Sequence, residues 1–281
     1  MHIFVCEDSL NGILTGIYDA WNYKVAHRTS LREDEIELSC KVPENYSLFD
    51  EYESVTPSVT KAGKVRTTLT SRFGIEFYMV LANAILATEL HEKRGALDKA
   101  NAVYKTVVFA FAKPSATATP YGARVLHYLG TPCVARVFEL SRSIQNEAHH
   151  LLGFLRFQEL ENGVLLSTIH PKNDCITILA NHFTDRLPQE NFMIYDENRK
   201  TAALHAAGKD FILVDASELD EELLHRFSEK EEAYQKLWKA FFESIAIEAR
   251  TNPELQAQNI PKRFWKDTVE LADSAASDKK L

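Results

Sequence analysis

The sequence has no long apolar run. No run exceeds the six residues of Val107–Ala112, far short of the roughly 18 that suggest a membrane span, so a soluble protein is expected and a membrane partner is not. Met1-His2-Ile3-Phe4-Val5-Cys6 runs directly into Glu7 and Asp8. That leaves neither the basic stretch nor the extended apolar core of a secretory signal, and the expected location is the cytoplasm. Cysteine is sparse as well. Cys6, Cys40, Cys133 and Cys175 form no CxxC pair and no Cys/His ligand spacing, which argues against a metal site, an iron–sulfur cluster or a disulfide framework and favours buried, inert thiols. The signatures GxxxxGK, GxSxG, HExxH and GxGxxG after a strand are missing too, so no cofactor is implied and nothing declares an enzyme. No internal repeat is present.

What is there is a chain of ordinary globular make-up with its charge sorted by position. At 281 residues and 45% apolar content it can build one large core or two modest ones. The net charge of −8 hides a reversal. Residues 1–60 carry 4 Lys and Arg against 11 Asp and Glu, residues 61–156 carry 13 against 6, and residues 157–281 carry 15 against 23. Salt screens distant charge, so a basic block inside an acidic protein can still neutralise phosphates. Lys61, Lys64, Arg66 and Arg72 are its candidates for DNA contact. The alternative is that these side chains pair with the acidic first 60 residues or form a solvated helix face.

Periodicity divides the chain near residue 152. Ile3–Cys6 reads as a strand, and Asp8 or Ser9 caps a helix with apolar positions at Leu10, Ile13, Leu14, Ile17, Tyr18 and Trp21. Residues 29–58 read as an acidic, irregular connection with one strand at Glu35–Val42 and turns near Pro43 and Pro57. Helices follow at Thr60–Arg72, Ile75–Leu90, Asp98–Ala112 and Ala123–Leu152, punctuated by Gly95, Pro114–Pro120 and Gly130–Pro132. From Gly153 the period becomes two. Gly153–Leu160 and Val164–His170 flank an Asn-Gly turn, which predicts a hairpin pairing Leu160 with Leu165 and Phe157 with Thr168. A helix over Asp174–Leu187 and a meander of Phe192–Asp196, Thr201–Ala206 and Phe211–Asp215 come next. Tyr234, Trp238, Phe241 and Ile245 form one helical stripe, and another short helix starts at Asn252-Pro253. The expected fold is α+β: an opening strand and helical region over 1–152, an antiparallel sheet with C-terminal helices over 153–272, and a frayed tail over 273–281, packed as one compact domain or two close ones.

Four polar clusters stand out. Glu147 and His150 share a helix face and can couple as a carboxylate-oriented imidazole, against a plain structural role. Arg156 alternates with Phe154 and Leu155 and meets either a protein carboxylate or DNA. His182 and Arg186, at i and i+4, suit a phosphate or carboxylate ligand, or else clamp Asp196 or Asp215. In Pro261-Lys262-Arg263-Phe264-Trp265-Lys266, cations interleaved with aromatics either grip a backbone and stack on an unpaired base or form an aromatic plug with solvated flanks.

Three of these segments carry a family resemblance: Gly153-Phe154-Leu155-Arg156-Phe157, His182-Phe183-Thr184-Asp185-Arg186-Leu187-Pro188 and Pro261–Lys266, in that order. The chain resembles a bacterial family described as DNA-metabolism or DNA-repair proteins, a domain of unknown function. Its members tend to be encoded beside a radical SAM protein similar to spore photoproduct lyase, and some are fused to a uracil-DNA glycosylase domain. Glu147 and His149 also match the family pattern, whereas His150 replaces a more usual Arg. Asn259-Ile260 and Phe264 replace a Phe-Met pair and a Tyr, and Cys6-Glu7-Asp8-Ser9 departs from the usual opening.

The resemblance implies an accessory DNA-repair protein that binds DNA or docks a radical SAM repair partner through the basic segment, Arg156, His182, Arg186, Lys262, Arg263, Trp265 and Lys266. The competing classes are an enzyme acting on DNA, glycosylase- or nuclease-like, with Glu147 and His149 as acid and base, and a protein-interaction module without nucleic-acid contact. Oligomeric state is not legible in the sequence.

Overall fold

The computed structural model describes residues 1–27, 35–41, 49–89, 97–112 and 122–272. The expected frayed tail and the turn signals at Pro43, Gly95 and Pro114–Pro120 lie outside the described residues. The fold is α+β. It divides into two compact units, Met1–Asn146 and Glu147–Leu281. None of the described helices is long and apolar enough to cross a membrane.

The first unit opens on β1 (His2–Val5), the middle strand of a three-stranded sheet of order β2-β1-β3. Both neighbours, β2 (Ile36–Ser39) and β3 (Glu51–Ser54), run parallel to it. The second of these is absent from the sequence reading. Its Glu-Tyr-Glu-Ser lacks apolar alternation, and backbone pairing with β1 rather than burial defines it. Between β1 and β2 runs α1 (Leu10–Ala26), capped by Ser9, whose Oγ accepts from the Gly12 N–H at 3.0 Å. Gly16 lets this helix approach the end of β1 closely, since a Cβ there would lie 2.2 Å from Cys6 Sγ. Around the sheet stand α2 (Val59–Phe73), α3 (Ile75–Leu86) and α4 (Lys99–Ala112). Their shared core holds Phe4, Ile13, Leu38, Phe73, Phe77 and Tyr104. A 3₁₀ turn, Gly122–His127, precedes α5 (Pro132–Phe154).

The second unit is built on a five-stranded sheet of order β4-β5-β6-β7-β8. These strands are Gln158–Glu159, Leu165–Ile169, Phe192–Asp196, Thr201–His205 and Ile212–Asp215. The meander β6-β7-β8 is antiparallel as expected. The β5–β6 pair is parallel, so the sheet is mixed rather than wholly antiparallel. A parallel pair needs a crossover, and α6 (Ile176–Arg186) supplies it.

The hairpin also differs from the expected one. α5 continues through Gly153, and Gln158 pairs with Leu166 and Glu159 with Leu165, one residue out of the predicted register. Gly163, at φ 79°, donates to the Leu160 carbonyl at 2.8 Å, while Leu160 donates to the Val164 carbonyl at 2.9 Å. The loop is therefore Glu161-Asn162-Gly163, a turn closed by one left-handed glycine rather than a two-residue turn.

One sheet face packs Leu160, Leu166, Met193, Tyr195, Ala202 and Leu224 into a core. The other buries Phe192 and Ile194, where Phe157 meets Phe183 edge-on at 5.0 Å. After a 3₁₀ turn at Glu221–His225 come α7 (Glu229–Ser244), α8 (Pro253–Asn259) and a 3₁₀ stretch, Lys262–Asp267. The stripe predicted on α7 exists but is not core. No residue of that helix is buried, and Tyr234, Leu237, Trp238, Phe241 and Ile245 remain exposed.

Candidate functional site

In the first unit α2 sorts its side chains by face. Ala62, Val65, Leu69 and Phe73 recur every three or four residues and are buried, which fixes Lys64, Arg66, Thr67, Thr68, Ser71 and Arg72 on the solvent side. No carboxylate occurs between Glu53 and Glu76, so nothing on the helix offsets its cations. The basic block splits into two sets. Lys61 pairs with Asp19 at 2.7 Å, Lys105 with Glu37 at 2.8 Å, and the buried Lys99 with Asp8. These belong to the intramolecular reading. Lys64, Arg66 and Arg72 meet no carboxylate among the described residues. Lys64 instead stands 5.6 Å from the Tyr18 ring and Arg66 5.6 Å from the Tyr78 ring.

A groove of about 440 Å³ runs beside this face, lined by Tyr18, Trp21 and Asn22 of α1, Lys64 and Arg72 of α2, and Phe111 of α4. Its size suits a small aromatic ligand. Tyr18, Trp21 and Phe111 are each half-buried, so ring surface remains open. Trp21 and Phe111 pack at 5.0 Å, and Phe73 meets Phe111 edge-on at 4.9 Å.

In the second unit the C-terminal end of α5 presents Glu147 to a loop. Its side chain is only 3% exposed, accepting from the backbone N–H groups of Lys172 at 3.0 Å and Asn173 at 2.7 Å, and from Asn173 Nδ2 at 2.7 Å. Arg263 Nη1 closes the ring at 3.1 Å. His149 points to solvent, while Glu147 is buried, so the two do not converge as an acid–base pair. Nor does Glu147 orient His150. That imidazole packs against Phe154 and Phe264, and its buried Nδ1 has no partner among the described residues. Two positions on a helix differ by about 200° when one residue separates them, and burial of the Glu147 side takes His149 outward.

Arg156 meets a protein carboxylate, Glu270, at 3.1 Å, and also donates to the Gly153 and Leu155 carbonyls. The second oxygen of Glu270 accepts from Trp238 Nε1 at 3.1 Å. His182 and Arg186 are both exposed on α6. The clamp onto Asp196 or Asp215 is not formed. Asp196 is fully buried and pairs with Arg199 at 3.1 Å, while Asp215 accepts from the Ser217 N–H at 2.9 Å. Burial pushes the Asp196 carboxyl up, against the pull of Arg199.

At the C-terminal stretch the aromatics form the plug. Phe264 and Trp265 are buried, Trp265 Nε1 donates to the Ile260 carbonyl at 2.7 Å, and Lys262 lies over the Trp265 ring at 5.5 Å. Lys266 remains exposed.

The sequence reading overlooked a histidine. His170, at the end of β5, bonds Asp267 at 2.8 Å through Nδ1 and Glu197 through Nε2. Burial pulls its pKa down, but the hydrogen bond and charge of Asp267 and the hydrogen bond of Glu197 outweigh that and the net shift is upward. It lines a polar cavity of about 300 Å³ with Arg156, Thr168, Lys239 and Lys266. With both ring nitrogens bound to carboxylates, the arrangement favours the charged imidazole over a free base. Its only sequence signal is the lone His before Pro171. Of the thiols, Cys6, Cys133 and Cys175 are buried and Cys40 is half-buried; burial pushes Cys6 up to about 12, which keeps it protonated and inert.

A family model described as a domain of unknown function, DUF4130, matches residues 98–270, more than half of the chain. The match covers the second unit's sheet and the groove residues Val107 and Phe111, but not the part of the groove lined by α1 and α2. No curated protein matches.

Proposed function

Starting from a chain that belongs to the DUF4130 family, we propose an accessory role in DNA repair or DNA metabolism, in which the protein binds DNA through the outer face of α2. The observation that carries this reading is the set of exposed Lys64, Arg66 and Arg72, with no carboxylate on the helix to neutralise them. Three cations on one face provide the charge and the hydrogen-bond donors for phosphate oxygens, while the Thr67, Thr68 and Ser71 hydroxyls between them donate to carbonyls of their own helix. The sequence resemblance to DNA-repair proteins points the same way. A second reading, docking of a protein such as a radical SAM repair partner, is favoured by the exposed apolar face of α7 around Leu237, Trp238 and Phe241. The DNA reading is tested by titrating labelled oligonucleotide with the full chain at several salt concentrations. Three phosphate contacts give a slope of about −2 in log affinity against log salt for single strands. Absence of binding at low salt overturns it.

A further inference from the structure

We propose that the groove lined by Tyr18, Trp21 and Phe111 receives an unpaired nucleobase, so that the protein selects single-stranded over duplex DNA. This deepens the DNA reading and rests on it. Lys64 and Arg72 edge the groove from α2, while the three rings line it. Apolar stacking surface and backbone-binding charge therefore occur within one pocket, the combination by which single strands are held without sequence reading.

The rings also resist the bland explanation of a filled core. A ring completing a core is fully buried, whereas all three here keep part of their surface exposed beside a groove of about 440 Å³. Lys61, also close to the Tyr18 ring, is engaged by Asp19 at 2.7 Å. Phosphate capture at the groove therefore falls to Lys64 and Arg72. Asn22, exposed at the opening, offers an amide to a base edge. Bases inside a duplex present edges but no open faces, so only an unpaired or extruded base can enter.

The test uses the full chain, a single strand about a dozen nucleotides long carrying one 2-aminopurine, and the blunt duplex of the same sequence. The expected result is tighter binding of the single strand, by about tenfold, with 2-aminopurine fluorescence quenched by stacking. Trp21→Ala should weaken single-strand binding about tenfold and relieve the quenching, as loss of one base–aromatic stack does. Duplex binding should hardly change. Trp21→Phe keeps a ring and serves if the alanine variant does not fold; it should retain quenching and bind within about threefold of wild type, by the same stacking argument. Equal affinity for both DNAs, without quenching, overturns the base pocket and leaves DNA binding by α2 standing. No binding of either DNA overturns both.

Discussion

Replacing Glu147 with Ala separates a clamp from a catalyst. Its carboxylate accepts from two backbone N–H groups and one side-chain amide and faces Arg263, with the glutamate side chain 3% exposed and the arginine 36%. Deleting it removes the acceptor from three buried or half-buried donors and leaves the guanidinium unpaired. Breaking a fully buried pair costs about 3–5 kcal/mol, but water reaches Arg263, so the charge alone contributes the smaller part. Loss of the amide acceptors adds about 1–3 kcal/mol for each donor left unsatisfied. Water can satisfy the half-buried Lys172 N–H, so the two buried Asn173 donors dominate and, at the lower end of that range, place the loss with the charge at about 3–5 kcal/mol. Glu147→Gln, which keeps an acceptor oxygen but no charge, should cost about 1–2 kcal/mol. Urea unfolding in a Trp21→Phe background reads the second unit, since Trp238 and Trp265 then remain as reporters. At a slope near 2 kcal/mol per molar, the alanine midpoint falls by roughly 2 M. A loss below about 1 kcal/mol would refute the clamp.

Arg186→Ala should leave the unfolding midpoint of the second unit unchanged, because neither Asp196 nor Asp215 uses that guanidinium. Arg199→Ala should instead cost roughly 3–5 kcal/mol by stranding the buried Asp196; equal melting curves for the two variants would reject this assignment. His170 makes stability pH-dependent. Its folded pKa lies above the ordinary value of 6.5, so its contribution is complete below about pH 6.5 and disappears as pH rises through the raised value. Urea midpoints should fall over that window for wild type and less for His170→Gln, and parallel pH profiles would contradict this. Gly16→Ala should destabilise the first unit in a thermal melt, because the new methyl would meet Cys6 Sγ at 2.2 Å; an unchanged melting temperature would show that the helix shifts freely.

Much of the fold is legible wherever period alone decides. α2, α3, α4 and α6 lie close to their expected spans because their apolar residues repeat at helical spacing. The β6-β7-β8 meander follows in the same way from alternation between turns. Register at the hairpin is different. Asn162-Gly163 closes either a two-residue turn or a longer one ending in a left-handed glycine, and backbone closure selects the latter. β3 was illegible since its partner strand, not its composition, defines it.

Sites follow the same division. The outward cations of α2 are readable from its buried stripe, yet nothing local reveals that Lys61 belongs to Asp19, 42 residues away. His170 escaped notice because its two carboxylates lie 27 and 97 residues distant. A clamp of His182 and Arg186 on Asp196 or Asp215 fails because Arg199, three residues from Asp196, reaches that carboxylate locally, and Asp215 accepts from the Ser217 N–H.

The most direct test of DNA binding by α2 is the salt dependence of oligonucleotide affinity for wild type and for the combined variant Lys64→Glu, Arg66→Glu and Arg72→Glu, all three exposed. With the fold retained by circular dichroism, the variant should bind more weakly at every sequence tested, and its log–log salt slope should flatten by about 2. Wild-type affinity with an unchanged slope would contradict DNA binding by this face.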